Sequence, residues 1–114
     1  DDLHHDHRST AEAVMIATRP SIYNSFVKKI FSFEVPSASE KLLKKNKLFN
    51  PNFFIDISSV IEKKIFLIEK FYKGEIKKYP STISKKGIIN LSQFRGNNMG
   101  LKNAEAFEVI KFIS

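Results

Sequence analysis

The apolar residues of this chain come in short runs of two different periods, and lysine, proline or glycine interrupts them. Phe31, Phe33 and Val35 alternate with Ser32 and Glu34. That two-residue period predicts a strand over Lys29–Val35 with the apolar side inward, ended by Pro36. A second strand is expected over Phe53–Ile57. Between Val60 and Lys73 the period lengthens: Ile61, Ile65, Ile68 and Tyr72 share one face of a helix. Ser59 and Glu62 have the spacing of a capping box at its start, and Gly74 is suited to a positive φ at its end. Residues 84–95 read as a further helix weakened by Gly87, and Ala106–Ile113 as a last short element, strand or helix, with strand favoured. Residues 36–51 form a polar, Lys-rich connection. Strands alternating with helices predict a mixed α/β layer fold.

These elements are too few to close a doubly wound sheet. The chain has 114 residues and opens at Asp1, directly on a polar cluster. We therefore expect it to be the C-terminal portion of a larger domain, with the first half upstream. There is no cysteine, which excludes disulfides and thiolate metal sites and fits a cytoplasmic protein. No apolar run is long enough to span a bilayer.

The formal net charge is +7. A basic balance of this size, with interleaved Phe and Tyr, is the pattern of a small nucleic-acid-binding module, the alternative reading of this chain. Against it, the lysines come as scattered pairs (28–29, 44–45, 63–64, 77–78 and 85–86) and the aromatics fall at core spacing. No nucleic-acid signature is present, so the charge is read as compositional bias and no nucleic-acid partner is expected.

All three histidines lie in the first eight residues, Asp1-Asp2-Leu3-His4-His5-Asp6-His7-Arg8. This stretch reads as a loop leading into a helix at Ser9, where Ser9 and Glu12 repeat the capping-box spacing and Pro20 ends the helix. Imidazole is the usual neutral nitrogen ligand of zinc, and an adjacent carboxylate can fix its tautomer. Residues 4–7 can thus supply a metal ligand, an orienting carboxylate and a free imidazole. A catalytic zinc takes three protein ligands and a water. One tetrapeptide cannot easily deliver all three, so the others are expected upstream.

These residues, with Ala11-Glu12-Ala13-Val14 and Thr18-Arg19-Pro20 after them, resemble the second signature of the PIG-L/LmbE-type deacetylases. Phe33-Glu34-Val35-Pro36-Ser37, Asn50-Pro51-Asn52-Phe53-Phe54-Ile55-Asp56-Ile57, Arg95-Gly96 and Ala104-Glu105-Ala106-Phe107-Glu108 continue the resemblance in order. The series covers almost the whole chain and is similar to the bacterial sugar-deacetylase branch. The resemblance implies a Rossmann-like α/β layered fold, of which residues 1–114 are the C-terminal portion. It also implies zinc-dependent hydrolysis of the acetamide of an N-acetylglucosamine-type sugar or its conjugate. In that family zinc acidifies a water and polarises the carbonyl, while a carboxylate takes the proton.

By position, the resemblance makes His7 the zinc ligand, His4 the catalytic imidazole that meets the oxyanion, and Asp6 the carboxylate that holds it. Asp2, Arg8 and Arg95 are the candidate substrate contacts. Arg8 can equally pair with Asp1 or Asp2, and Arg95 with its flanking glycines can equally belong to a helix C-cap. His5 stands where many members have Pro, and Lys41 where close relatives often have Trp. The family's first signature, His-Pro-Asp-Asp-Glu, is absent from these residues; it would bring two zinc ligands and the base. A homo-oligomer is compatible with the sequence, which does not specify one.

Overall fold

The computed structural model describes residues 2–24, 26–36 and 49–114. The chain is a mixed α/β structure. Its elements are helix α1 (Asp2–Ala17), a 3-10 turn (Ile22–Asn24), β1 (Lys29–Phe33), β2 (Phe53–Asp56), α2 (Ile61–Phe71), α3 (Lys85–Asn97) and β3 (Ala104–Phe112). The strands form a sheet in the order β1-β3-β2. β2 runs antiparallel to β3, with Phe53 opposite Phe107, Phe54 opposite Ala106, Ile55 opposite Glu105 and Asp56 opposite Ala104. Among the described residues no helix is long and apolar enough to cross a membrane. Most of the connection expected over 36–51, including Lys41, lies outside the described residues.

The chain divides into two compact units, residues 1–31 with 110–114 and residues 32–109. In the first unit the polar cluster is helical rather than a loop. α1 begins at Asp2, so Ser9 lies inside it and caps nothing. Two pairs one turn apart hold this stretch: Arg8 Nε donates to Glu12 Oε1 at 3.0 Å, and Ser9 Oγ lies 3.1 Å from His5 Nδ1. Such pairs each add a few tenths of a kcal/mol to a helix, and no glycine or proline interrupts residues 1–19. The acidic start also suits the positive helix end. Glu12, spent on Arg8, is not reaching back to a cap. In the same unit Ile113 N–H donates to Lys28 C=O at 2.8 Å, and Phe31 meets Phe112 edge-on at 6.3 Å.

The second unit contains the buried apolar residues Ile57, Ile65, Ala104 and Ala106. α2 turns Ile61, Ile65 and Ile68 inward as its period predicts, but Tyr72 is 58% exposed. The helix ends at Tyr72, whose φ of −122° takes it off the helical path. The expected Ser59 cap does not form: Val60 occupies the cap position without a side-chain hydrogen bond. Val60 N–H instead donates to Ile57 C=O at 2.9 Å, closing the turn by backbone alone. Gly74 does not take a positive φ either.

α3 is capped by Ser84, whose buried Oγ accepts from Gly87 N–H at 3.0 Å. Gly87, expected to weaken this helix, is required by it. A Cβ there would lie 2.5 Å from Thr82 C=O and 2.6 Å from Ser81 C=O. At the other end Leu101 N–H reaches Gly96 C=O (2.8 Å) and Gly100 N–H reaches Asn97 C=O (3.2 Å). This is a Schellman closure, and it needs the left-handed φ of +72° that Gly100 supplies. Gly96 is buried against Asn103, whose backbone N would stand 2.8 Å from an added Cβ.

The glycines should therefore respond differently to alanine. At 87 and 96 the helix-propensity gain of about 1 kcal/mol is outweighed by a clash with backbone, with a net loss of about 1–3 kcal/mol. Hydrogen–deuterium exchange of α3 and β3 amides should accelerate roughly tenfold or more in Gly96→Ala and Gly87→Ala. Gly74→Ala, with no atom within 4 Å, should leave exchange unchanged.

Candidate functional site

α1 carries the polar cluster on a surface helix. His5, Asp6, His7 and Arg8 are exposed; Asp2 and His4 lie in the same helix, with their side chains outside the described part of the structure. Positions 4, 7 and 8 fall on one face of a helix, three and four residues apart. Position 6 is turned away from both 4 and 7, since successive residues advance by about 100°. The helix therefore groups positions 4 and 7 and does not bring Asp6 between them. Arg8 is engaged by Glu12. Among the described residues no three His, Asp or Glu groups converge where a metal ion could sit.

In the unit of residues 32–109, Arg95 projects from the last turn of α3 onto Glu34. Its Nε donates to Glu34 Oε2 at 2.9 Å and its Nη2 to Glu34 Oε1 at 2.8 Å. The two side chains are 15% and 12% exposed. The guanidinium also lies over the rings of Phe49 (5.4 Å) and Phe94 (5.1 Å). Bidentate geometry and shielding from water make this a strong kind of ion pair. It breaks the expected alternation at the end of β1: Glu34, just past the strand, is drawn inward, while Phe33 is 64% exposed. Phe–Ser–Phe–Glu–Val alternation alone cannot reveal this, because the guanidinium that accepts Glu34 comes from 61 residues away in sequence.

The Asn50–Ile57 segment is bound to β3 by more than ladder pairing. Asn52 N–H donates to Phe107 C=O at 2.9 Å, and Asn52 Oδ1 accepts from Val109 N–H at 2.8 Å. Asp56 accepts from Ser58 Oγ at 2.6 Å and Ser58 N–H at 2.9 Å. The Ser58 hydroxyl, then its N–H, hold the Asp56 carboxyl below the usual aspartate range. Glu105 pairs with Lys64 at 2.8 Å.

Two outcomes follow. Because the folded pKa of Asp56 is depressed, its stabilising contribution is present above the ordinary aspartate range and is lost as pH falls through the lowered value. The Asp56 carboxyl titration followed by NMR should move upward in Ser58→Ala. For the buried pair, Arg95→Ala strands a carboxylate and should cost about 3 kcal/mol, with Glu34→Ala comparable. The double variant should cost clearly less than the sum, as read from exchange protection of α3; simple additivity would contradict the coupling.

Comparison with protein-family models, with curated proteins and with solved structures finds no match for this chain.

Proposed function

We propose that this chain is the C-terminal portion of a cytoplasmic, zinc-dependent N-acetyl-sugar deacetylase with a Rossmann-like α/β layered fold. The observation that carries the reading is the ordered series of segments resembling that family. Its support is that four of those segments meet in two pairs within the unit of residues 32–109. Glu34, from Phe33–Ser37, is bound by Arg95, from Arg95-Gly96. Asn50–Ile57 pairs in register with Ala104–Glu108.

On this reading the substrate is an N-acetylglucosamine-type sugar or its conjugate, and the reaction is hydrolysis of its acetamide. His7 serves as one zinc ligand, and two more with the general base come from residues beyond those described. His4 donates to the oxyanion, an interaction worth roughly 3–4 kcal/mol in comparable sites. The family resemblance gives Asp6 the part of the carboxylate that orients the imidazole, which requires a backbone arrangement other than helix α1, where position 6 is turned away from 4 and 7. Arg8 and Asp2 contact the sugar once the segment bearing them meets the remainder of the site. Arg95 acts near the substrate through the loop that its pairing with Glu34 positions.

The test uses the longer protein that contains this chain, in an acetate-release assay with zinc on N-acetylglucosamine derivatives. His7→Ala should lower zinc content and activity together. His4→Ala should leave zinc content near normal while kcat falls by about 10² to 10³. Asp6→Asn should cost about 10- to 100-fold. The 114-residue chain alone should release no acetate. If neither histidine variant changed activity, the reading of this segment would be wrong. If His4→Ala emptied the metal site and His7→Ala did not, their roles would be reversed.

A further inference from the structure

The outward face of α2 does not resemble an ordinary solvated helix. Its inward face is taken by Ile61, Ile65 and Ile68. Its outward face presents Phe66 and Phe71, exposed by 58% and 66%, where a water-facing helix would carry polar residues. Leu67 beside them is also exposed. Lysines interleave with these rings. Lys70 Nζ lies 5.8 Å from the Phe66 ring centre and 5.4 Å from that of Phe71. Lys63 and Lys73 flank the stripe and are exposed.

The charge is concentrated here as well. Residues 61–86 contain eight lysines (63, 64, 70, 73, 77, 78, 85 and 86) against three glutamates (62, 69 and 75), a balance of +5 out of the chain's +7. The fold extends the surface beyond α2. Lys77, Lys85 and Lys86 line one open cleft with Tyr79, and Lys86 sits 4.6 Å from the Tyr79 ring centre. An ion pair of Lys85 with Glu69 at 3.3 Å ties the first turn of α3 to α2.

We propose that the outward face of α2, with the basic segment leading into α3, docks on the surface of an anionic lipid bilayer. Rings and leucine enter the boundary between headgroups and acyl chains, while lysine stems lie along them and place their ammonium groups among the lipid phosphates and carboxylates. Charge complementarity selects the anionic surface. A nucleic acid is the less suitable polyanion. All eight cations are lysine, without the planar guanidinium favoured for phosphate and base recognition, and the exposed rings on the helix are mainly phenylalanine beside leucine. The proposal is independent of the deacetylase reading.

The experiment is vesicle flotation of the 114-residue chain with phosphatidylcholine vesicles, with and without phosphatidylserine, at low and high salt. Binding should require phosphatidylserine and weaken with salt. It should fall roughly tenfold or more in Lys70→Gln/Lys73→Gln, since each lysine near the surface contributes to binding. It should fall comparably in Phe66→Ser/Phe71→Ser. These positions face outward, so circular dichroism should show the helix content of both variants unchanged. Failure to bind phosphatidylserine vesicles, equal binding to neutral vesicles, or binding that survives the phenylalanine changes would each overturn the proposal. So would binding to a single-stranded oligonucleotide without binding to vesicles. Self-association in sedimentation velocity that is abolished in Phe66→Ser/Phe71→Ser, without vesicle binding, would assign the face to a second copy of the chain instead.

Discussion

Asn103 joins the elements of the 32–109 unit. Its backbone N–H donates to Ser58 Oγ at 3.1 Å, and its C=O accepts from Ile57 N–H at 3.1 Å. Its side-chain Oδ1 lies 2.9 Å from Ser92 Oγ in α3, a contact buried from solvent. One residue thus fixes the end of β2, the start of β3 and the middle of α3. Each contact replaces water around a buried polar group, and an unmade bond there would cost about 1–3 kcal/mol. Gly96 belongs to the same junction. Without a side chain it lets the Asn103 backbone approach α3 closely enough for the Ser92 contact. The Schellman closure at Gly100 then turns the chain from helix to strand within a few residues.

This polar junction matters because the apolar burial around it is small. The buried apolar residues of the described structure are two isoleucines and two alanines, and no large side chain is fully buried. At about 25 cal/mol per Å² this is a modest hydrophobic contribution for a chain of this length. Specificity therefore falls to hydrogen bonds and to the Arg95–Glu34 pair, which fix one geometry where loosely packed apolar groups would tolerate several. Removing one partner strands the other in a dry place, so the pair constrains structure more strongly than its net contribution to stability suggests.

The exposed apolar surface is distributed unevenly in character. On α1, Val14, Met15 and Ile16 are exposed without a lysine stripe among them. On α2 the exposed rings are interleaved with cations that sit over them. The basic charge read from sequence as scattered lysine pairs becomes a local surface property there, because one helix face and the cleft at the start of α3 collect the pairs between 61 and 86.

The sequence by itself determined the mixed α/β class, the positions of strands β1 and β2, the final strand as the favoured form of β3, and the inward isoleucine stripe of α2. These depend on local periodicity, which the backbone converts directly into sidedness. At the end of α3 the sequence left a loop and a helix C-cap equally open, and the left-handed φ of Gly100 closes the helix. Only the tertiary structure decided the rest. Glu34 faces inward because Arg95 is there to receive it. Gly87 and Gly96 are required because backbone from other segments lies against them. Ser59 caps nothing because the Ile57 carbonyl closes that turn. The histidine segment is helical because one-turn partners, Arg8 with Glu12 and His5 with Ser9, compete successfully with a cap at Ser9. In each case what decides is a partner or competing bond that propensity and spacing do not specify, and burial sets how much that partner matters.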